Sequence, residues 1–208
     1  MNEIRYRIAK PSDAKEIADV HWHVRDRYKE GLFLSMGKGF LKAYYKVILN
    51  DPWEVVVCAV NENGKILGFI SNSLDAKERY RNIKNHKLRL GFAAIKSVFF
   101  HPSVIKGIFL RYKSLNSNNS DVRFCNTEGV RVGYWCWLKD DDSLKSVELN
   151  RVSGKILRSL GVEVIYFEVD KFNKAVYKFN IKVNKAEPIE EITLPDGRVR
   201  VLMRKKLV

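Results

Sequence analysis

Val130-Arg131-Val132-Gly133-Tyr134-Trp135-Cys136-Trp137-Leu138 is the stretch on which the fold turns. Its β-branched and aromatic side chains, with one charge at the start, read as a buried strand. Asp140-Asp141-Asp142-Ser143 follows as an N-cap cluster. Leu144, Val147, Val152, Ile156 and Leu160 then form an apolar stripe at helical spacing, with Gly161 at the C′ position. Residues 162–169 read as a second strand and residues 173–183 as a short helix. A strand, helix, strand, helix run of this length predicts a parallel pair joined by a right-handed crossover.

Upstream, Ile4, Tyr6 and Ile8 alternate with polar residues as a strand until Lys10-Pro11 stops it. Asp13 with Glu16 predicts a capping box for a helix that carries Ile17, Val20, His21 and Val24 on one face. After the Gly31 break, Phe40, Leu41, Tyr44, Val47 and Ile48 mark a second amphipathic helix. Residues 53–60 and 65–71 read as a hairpin whose Asn63-Gly64 predicts a type I′ turn. Residues 75–115 have helical periodicity with breaks near Asn85 and at His101-Pro102, and the polar run 114–120 reads as a flexible loop. Two last strands, near 187–193 and 198–205, flank Pro195-Asp196-Gly197. The expected fold is α/β (α+β): one domain, residues 1–208, with a mixed twisted sheet of about seven strands flanked by helices. A basic helical insertion and loop, residues 75–120, separates the third strand from the fourth.

The 208 residues are 46% hydrophobic and 30% charged, an ordinary globular composition with material for one core. The start of the chain lacks the pattern of a signal peptide. The purest apolar run, 55–60, is far below the roughly 20 residues that span a bilayer. Cys58, Cys125 and Cys136 are odd in number and lack CxxC spacing, which points away from a disulfide framework or zinc site and toward a reducing cytoplasm. His21 and His23, two apart on a helix, do not share a face and make a poor metal pair. The net charge is +14, and residues 76–113 contribute ten Lys or Arg against the single acid Glu78. Such a segment attracts nucleic acid, anionic lipid or a small polyanion, or is a solvated helical face. No nucleic-acid recognition motif is present. Between Leu88 and Lys113 aromatics and bases interleave, a pattern open to peripheral membrane contact or to an internal helical subdomain packed on the sheet.

Three segments carry a family resemblance. They are Ile4-Arg5-Tyr6-Arg7-Ile8-Ala9-Lys10-Pro11-Ser12-Asp13-Ala14; Gly31-Leu32-Phe33-Leu34-Ser35 with Gly37, Phe40-Leu41, Tyr44-Tyr45 and Lys65-Ile66-Leu67-Gly68-Phe69-Ile70; and residues 173–184. With the element order, they resemble the GNAT superfamily of acyl-CoA-dependent N-acyltransferases. The second set is most similar to a subgroup from surface-polysaccharide pathways that acylates amino sugars on nucleotide carriers and carries a helical insertion after the third strand. The third resembles the family's terminal helix, in which Asn173 keeps an Asn, Asn184 replaces a Gly at a left-handed position, and Asn180 stands where Tyr is usual.

The resemblance implies acetyl-CoA or another acyl-CoA as co-substrate, a small-molecule amine (a nucleotide-linked sugar) as acceptor, no metal, and a monomer or homodimer. N-acyl transfer needs a proton acceptor for the amine. His21 has a suitable ordinary pKa, and Glu30 precedes the loop that lines the acceptor site in the family. An oxyanion donor is commonly a backbone N–H of the fourth strand. The departing thiolate takes a proton in the family from the Tyr that Asn180 replaces; Asn180 donates a hydrogen bond but no proton. Tyr177, one turn earlier, is a substitute donor or a packed aromatic. Trp135, Cys136, Trp137, Ser143, Lys145, Ser146 and Asn173 fall where the cofactor lies, and Phe33, Tyr44 and Tyr45 fall at the acceptor pocket, although Tyr44 and Tyr45 suit a core equally. The family's Gln/Arg-x-x-Gly-x-Gly/Ala diphosphate loop corresponds here to residues 140–146, which contain no glycine. Its acids serve the helix dipole themselves and repel a diphosphate, with Lys139, Lys145, Ser143 and Ser146 in partial compensation. The alternative is a non-catalytic binding protein on the same scaffold, docking its basic insertion on membrane or nucleic acid.

Overall fold

Strands β2 (Glu54–Val60) and β3 (Ile66–Ser73) are buried at almost every position, so their apolar and small residues serve both faces of a central sheet. The computed structural model describes residues 3–24, 36–100, 105, 129–138, 143–194 and 197–207. Around that pair it adds β1 (Arg5–Ile8), β4 (Arg131–Trp137), β5 (Val164–Asp170), β6 (Glu187–Thr193) and β7 (Val199–Lys206). The seven strands run in the order β1-β2-β3-β4-β5-β7-β6. Only β4 and β5 are parallel, as the crossover helix between them requires.

The helices are α1 (Ala14–His23), α2 (Gly37–Ile48), α3 (Ala76–Asn85), α4 (Lys87–Phe100), α5 (Ser143–Ser159) and α6 (Lys174–Lys182). One face of the sheet, through Val56, Cys58, Val60, Phe69 and Cys136, packs against α1, α2 and the Leu90 and Ala94 side of α4. The other face presents Val55, Val57, Ala59, Leu67, Ile70 and Trp137 to Leu149 of α5. Tyr177 and Ile181 of α6 cover Val169, Val201 and Met203. Alternation along each strand thus feeds two separate cores.

The parallel ladder is one pair long, Arg131 opposite Tyr166, with the Tyr166 N–H donating to the Val130 carbonyl at 2.9 Å. Beyond it β4 and β5 are not paired among the described residues. A wedge is left toward their carboxyl ends, where α5 and α6 begin, the crevice in which α/β proteins commonly bind ligands.

Three local expectations are corrected. Asp13 does not cap α1. Its carboxylate accepts from the Lys10 N–H at 2.7 Å and pairs with Arg7 at 2.6 Å, closing a 3₁₀ turn (Pro11–Asp13), while Glu16 accepts from the Ile66 N–H at 2.8 Å. The β2–β3 turn is not type I′, because Gly64 has a positive φ and Asn63 does not. Instead the Asn61 side chain accepts from the Asn63 and Lys65 N–H groups, and Gly64 N–H donates to the Asn61 carbonyl. After α6 the left-handed residue is Lys185, at φ 54°, not Asn184. The insertion breaks at His86, and Asp75 caps α3 by accepting from the Lys77 N–H at 2.7 Å. The expected break at His101-Pro102, the flexible run 114–120 and the acids 140–142 lie outside the described residues.

Gly68 shows how tightly β3 and β4 are fitted. A methyl there would collide with the Trp137 ring and stand 2.8 Å from the Cys136 carbonyl oxygen. Gly68→Ala should therefore destabilise the protein by about 2 kcal/mol. Gly91, inside α4 with open space around it, should gain about 1 kcal/mol as Ala. Urea unfolding of both variants checks the pair, and equal effects would contradict the packing.

Candidate active site

The register between β3 and β4 slips by one residue. Ser71 faces Tyr134, but Asn72 faces Val132, so Gly133 is the extra residue of a β-bulge. The absent side chain makes room for a cation, since a methyl on Gly133 would lie 2.6 Å from Arg79 Nη1. Arg79 reaches in from α3 and is held by Glu54 through Nε to Oε1 at 2.6 Å and Nη2 to Oε2 at 2.5 Å. The Glu54 side chain is completely buried. Burial pushes its carboxyl up, against the pull of Arg79. Burial lowers the Arg79 guanidinium too, but the charge and hydrogen bonds of Glu54 outweigh it and hold Arg79 above its ordinary value. A guanidinium therefore sits beside the bulge as one half of a buried ion pair, its charge largely offset by the carboxylate that grips it.

On the same face His21 Nδ1 meets Tyr45 Oη at 2.8 Å, and the His21 ring lies 4.5 Å from the Tyr134 ring. Tyr44, Tyr45 and Phe69 complete the aromatic enclosure. Burial pushes the imidazole down to about 4, so His21 is neutral at neutral pH. It also pushes the Tyr45 hydroxyl well above its usual value. When Nδ1 donates to Tyr45, Nε2 is left as the proton acceptor, and when Tyr45 donates, Nε2 carries the hydrogen. His21, Tyr44 and Tyr45 are thus brought together.

The expected cofactor residues of β4 are divided between the faces. Cys136 points into the His21 side, whereas Trp135 and Trp137 point toward α5. The Trp135 ring stands 5.7 Å from Phe179 of α6, across the wedge. Its indole Nε1 is buried with no partner among the described residues. A buried donor without an acceptor is costly, and it suits the carbonyl oxygen of a ligand. At the start of α5, Lys145 Nζ lies 3.3 Å from Glu148, which also accepts from Tyr6 at 3.0 Å. These hydrogen bonds, Tyr6 first, hold the Glu148 carboxyl below its usual value. Ser146 lies half-buried in the same helical turn.

On the α6 side, Asn173 caps the helix by accepting from the Val176 N–H at 3.2 Å, and Tyr177 packs on the Val169, Val201 and Met203 cluster. Asn180 is buried; its Nδ2 donates to the Val176 carbonyl at 2.9 Å and its Oδ1 accepts from Asn184 at 2.8 Å. Asn184 in turn accepts from Lys205 at 3.1 Å, a lysine lowered by burial. The Asn180 amide is therefore engaged within the α6 turn that binds to β7. Glu30, Phe33 and Lys139 lie outside the described residues, as does the Ser143 side chain.

Arg79 and Gly133 are the residues that sequence reasoning missed. The glycine inside a β-branched, aromatic run was a usable bulge signal. Arg79 looked like one base among ten. A separate cavity of about 380 Å³, lined by Lys46, Asp51, Asn82, His86 and Arg89, holds none of the candidate residues. Among the described residues no cluster of His, Cys, Asp and Glu could hold a metal, and no helix is long and apolar enough to cross a membrane.

No family model matches the chain, and no curated protein matches it in sequence. Solved structures do match. An acetyltransferase of the GNAT family from Staphylococcus aureus Mu50 has a TM-score of 0.57 at 11% identity, over 99% of this chain and 100% of that one. The PaiA N-acetyltransferase from Thermoplasma acidophilum, in complex with coenzyme A, has a TM-score of 0.56 at 11% identity, over 98% and 99%. Aminoglycoside 6′-acetyltransferase type Ii has a TM-score of 0.56 at 11% identity, over 98% and 97%.

The buried histidine has a measurable consequence. Its folded value near 4 lies below its ordinary 6.5, so between these values the unfolded chain binds the extra proton. Stability is then whole above about pH 6.5 and falls toward pH 4, by up to about 3 kcal/mol. His21→Gln should flatten that loss, as read from urea midpoints at about pH 7 and about pH 4.5. The same pH slope in both proteins would show that His21 is not the group responsible.

Proposed function

We propose that this chain, which has the fold of the GNAT acetyltransferases, is an acyl-CoA-dependent N-acyltransferase working in the cytoplasm on a small-molecule amine, with a nucleotide-linked amino sugar as the acceptor. The observation that carries this reading is the β5-facing edge of β4, unpaired beyond Arg131 among the described residues and bulged at Gly133, with a buried indole N–H that has no partner among those residues on one face and a neutral histidine on the other.

The residues present fit an acyl-CoA, which supplies the activated acyl group as a thioester. Trp135 Nε1 offers its hydrogen bond to a carbonyl oxygen of the extended arm. The bulged backbone of β4 has N–H capacity that the ladder does not consume, and it serves negative charge developing on the acyl oxygen. Arg79, paired with Glu54, fills the space beside Gly133 and fixes the shape of the bulge. His21, in the tautomer that donates to Tyr45, presents Nε2 as the acceptor for the amine proton, directly or through water. Tyr44 and Tyr45 wall the acceptor side, with Glu30 and Phe33 from the α1–α2 connection as further candidates. Ser143, Lys145, Ser146 and Asn173 are the candidates for the polar end of the cofactor, and the excess of bases in the insertion favours an anionic acceptor.

Calorimetric titration with acetyl-CoA and with free coenzyme A tests the reading first. Binding in the micromolar range is expected. Absence of binding at millimolar cofactor would overturn acyl-CoA use and leave a binding protein that docks through its basic insertion. A donor to the thiolate on α6 is tested separately by Asn180→Ala, for a hydrogen bond, and Tyr177→Phe, for a proton. A fall in kcat beyond about threefold, roughly 0.7 kcal/mol, identifies the donor. Smaller changes in both variants exclude a donor on α6.

A further inference from the structure

Helix α4 carries two apolar stripes, and among the described residues only one of them packs on the core. Leu90 and Ala94, each 6% exposed, face the cluster that includes α2. Leu88, Phe92, Ile95 and Phe99 are 72%, 72%, 56% and 81% exposed. Their spacing of four, three and four puts them in one line along the helix. A single exposed apolar residue needs no explanation, but a continuous line of large ones marks an interaction surface.

Cations accompany the line. Lys77, Arg81, Lys84, Lys87 and Arg89 on α3 and α4 are exposed. Arg81 pairs with Glu78, whereas Lys84, Lys87 and Arg89 have no acidic partner among the described residues. This charge selects the occupant. A second copy of the chain would bring two segments of ten bases and one acid face to face, and their repulsion opposes pairing. Nucleic acid would satisfy the charge but offers nothing to aliphatic Leu88 and Ile95. The boundary of an anionic bilayer takes both, with apolar side chains among the acyl chains and bases among the headgroups. With 14 residues α4 is shorter than the roughly 20 needed to span, so it would lie in the plane of the surface.

We infer that the outer stripe of α4 is a docking surface for anionic lipid, holding the protein peripherally on a membrane. This is independent of acyl transfer and stands even if coenzyme A does not bind. The test is flotation of the full chain with phosphatidylcholine vesicles, with and without about 30% phosphatidylglycerol. Binding to the anionic vesicles is expected, at least about tenfold above that to phosphatidylcholine alone. The double substitution Phe92→Glu with Ile95→Glu should remove it by a similar factor while leaving the circular dichroism spectrum and Tm intact, since both side chains are exposed. Lys84→Glu with Lys87→Glu should reduce binding to the level on neutral vesicles. Three results would overturn the inference: no binding of the wild type, undiminished binding of the Phe92/Ile95 variant, or a wild-type dimer in light scattering that this variant converts to monomer.

Discussion

The two halves of the sheet are joined at one residue pair, and the rest of the architecture depends on that joint. Among the described residues Arg131 and Tyr166 are the whole parallel ladder, reinforced where Gly129, at φ 69°, lets the Tyr166 ring lie against the chain. Beneath the sheet, the Arg131 guanidinium donates to Glu168 at 2.7 Å, and Glu168 accepts from Arg200 of β7 at 3.2 Å. The Arg131 and Glu168 side chains are 9% and 7% exposed. A carboxylate so placed is a structural rivet, because removing it would leave the buried Arg131 guanidinium without its counter-charge. A longer ladder would close the wedge and use the backbone that the candidate site needs. A weaker clamp would let the halves separate.

The second constraint is parity. Side chains alternate faces along a strand, so a one-residue slip redirects everything after it. Val132 packs on the α5 side and Tyr134 on the His21 side. Both placements hold only because Gly133 is an extra residue between them. From there Trp135 and Trp137 return to the α5 face while Tyr134 and Cys136 join the histidine. The bulge therefore opens the backbone of β4 and also decides which aromatic groups stand on each side of it. Glycine suits the position because Arg79 occupies the space a side chain would take.

Much of this was legible in local pattern. The strand, helix, strand, helix order around residue 130 set the parallel pair, and the spacing of Ile17, Val20 and His21, or of Phe40, Tyr44 and Val47, set the inward helix faces. What escaped was competition among equivalent local partners. Asp13 had the chemistry of a cap, but Arg7 and the Lys10 N–H claimed it. Asn63 and Asn184 had the propensity for left-handed backbone, yet Gly64 and Lys185 took it, leaving Asn184 to bind Asn180. The Arg79–Glu54 pair spans 25 residues of sequence and no local rule finds it. The site was legible where its residues lie on patterned helices, as with His21, Tyr44 and Tyr45. It was not legible on the connections that hold the candidates Glu30 and Phe33 and residues 139–142, where no helical or strand pattern fixes a face.

The basic insertion shows why summed charge misleads. Its ten bases against one acid suggest a single polyanion-binding patch, but the fold sorts those that are described by solvation. Arg79 is turned inward, and it persists there because a fully buried carboxylate meets it with two hydrogen bonds. It is thereby removed from the surface field and made available to the bulge. Lys84, Lys87 and Arg89 face solvent on the flanks of an apolar line, where their charge acts only together with that line. The same short helical pair thus supplies both the guanidinium beside the bulge and an exposed apolar line.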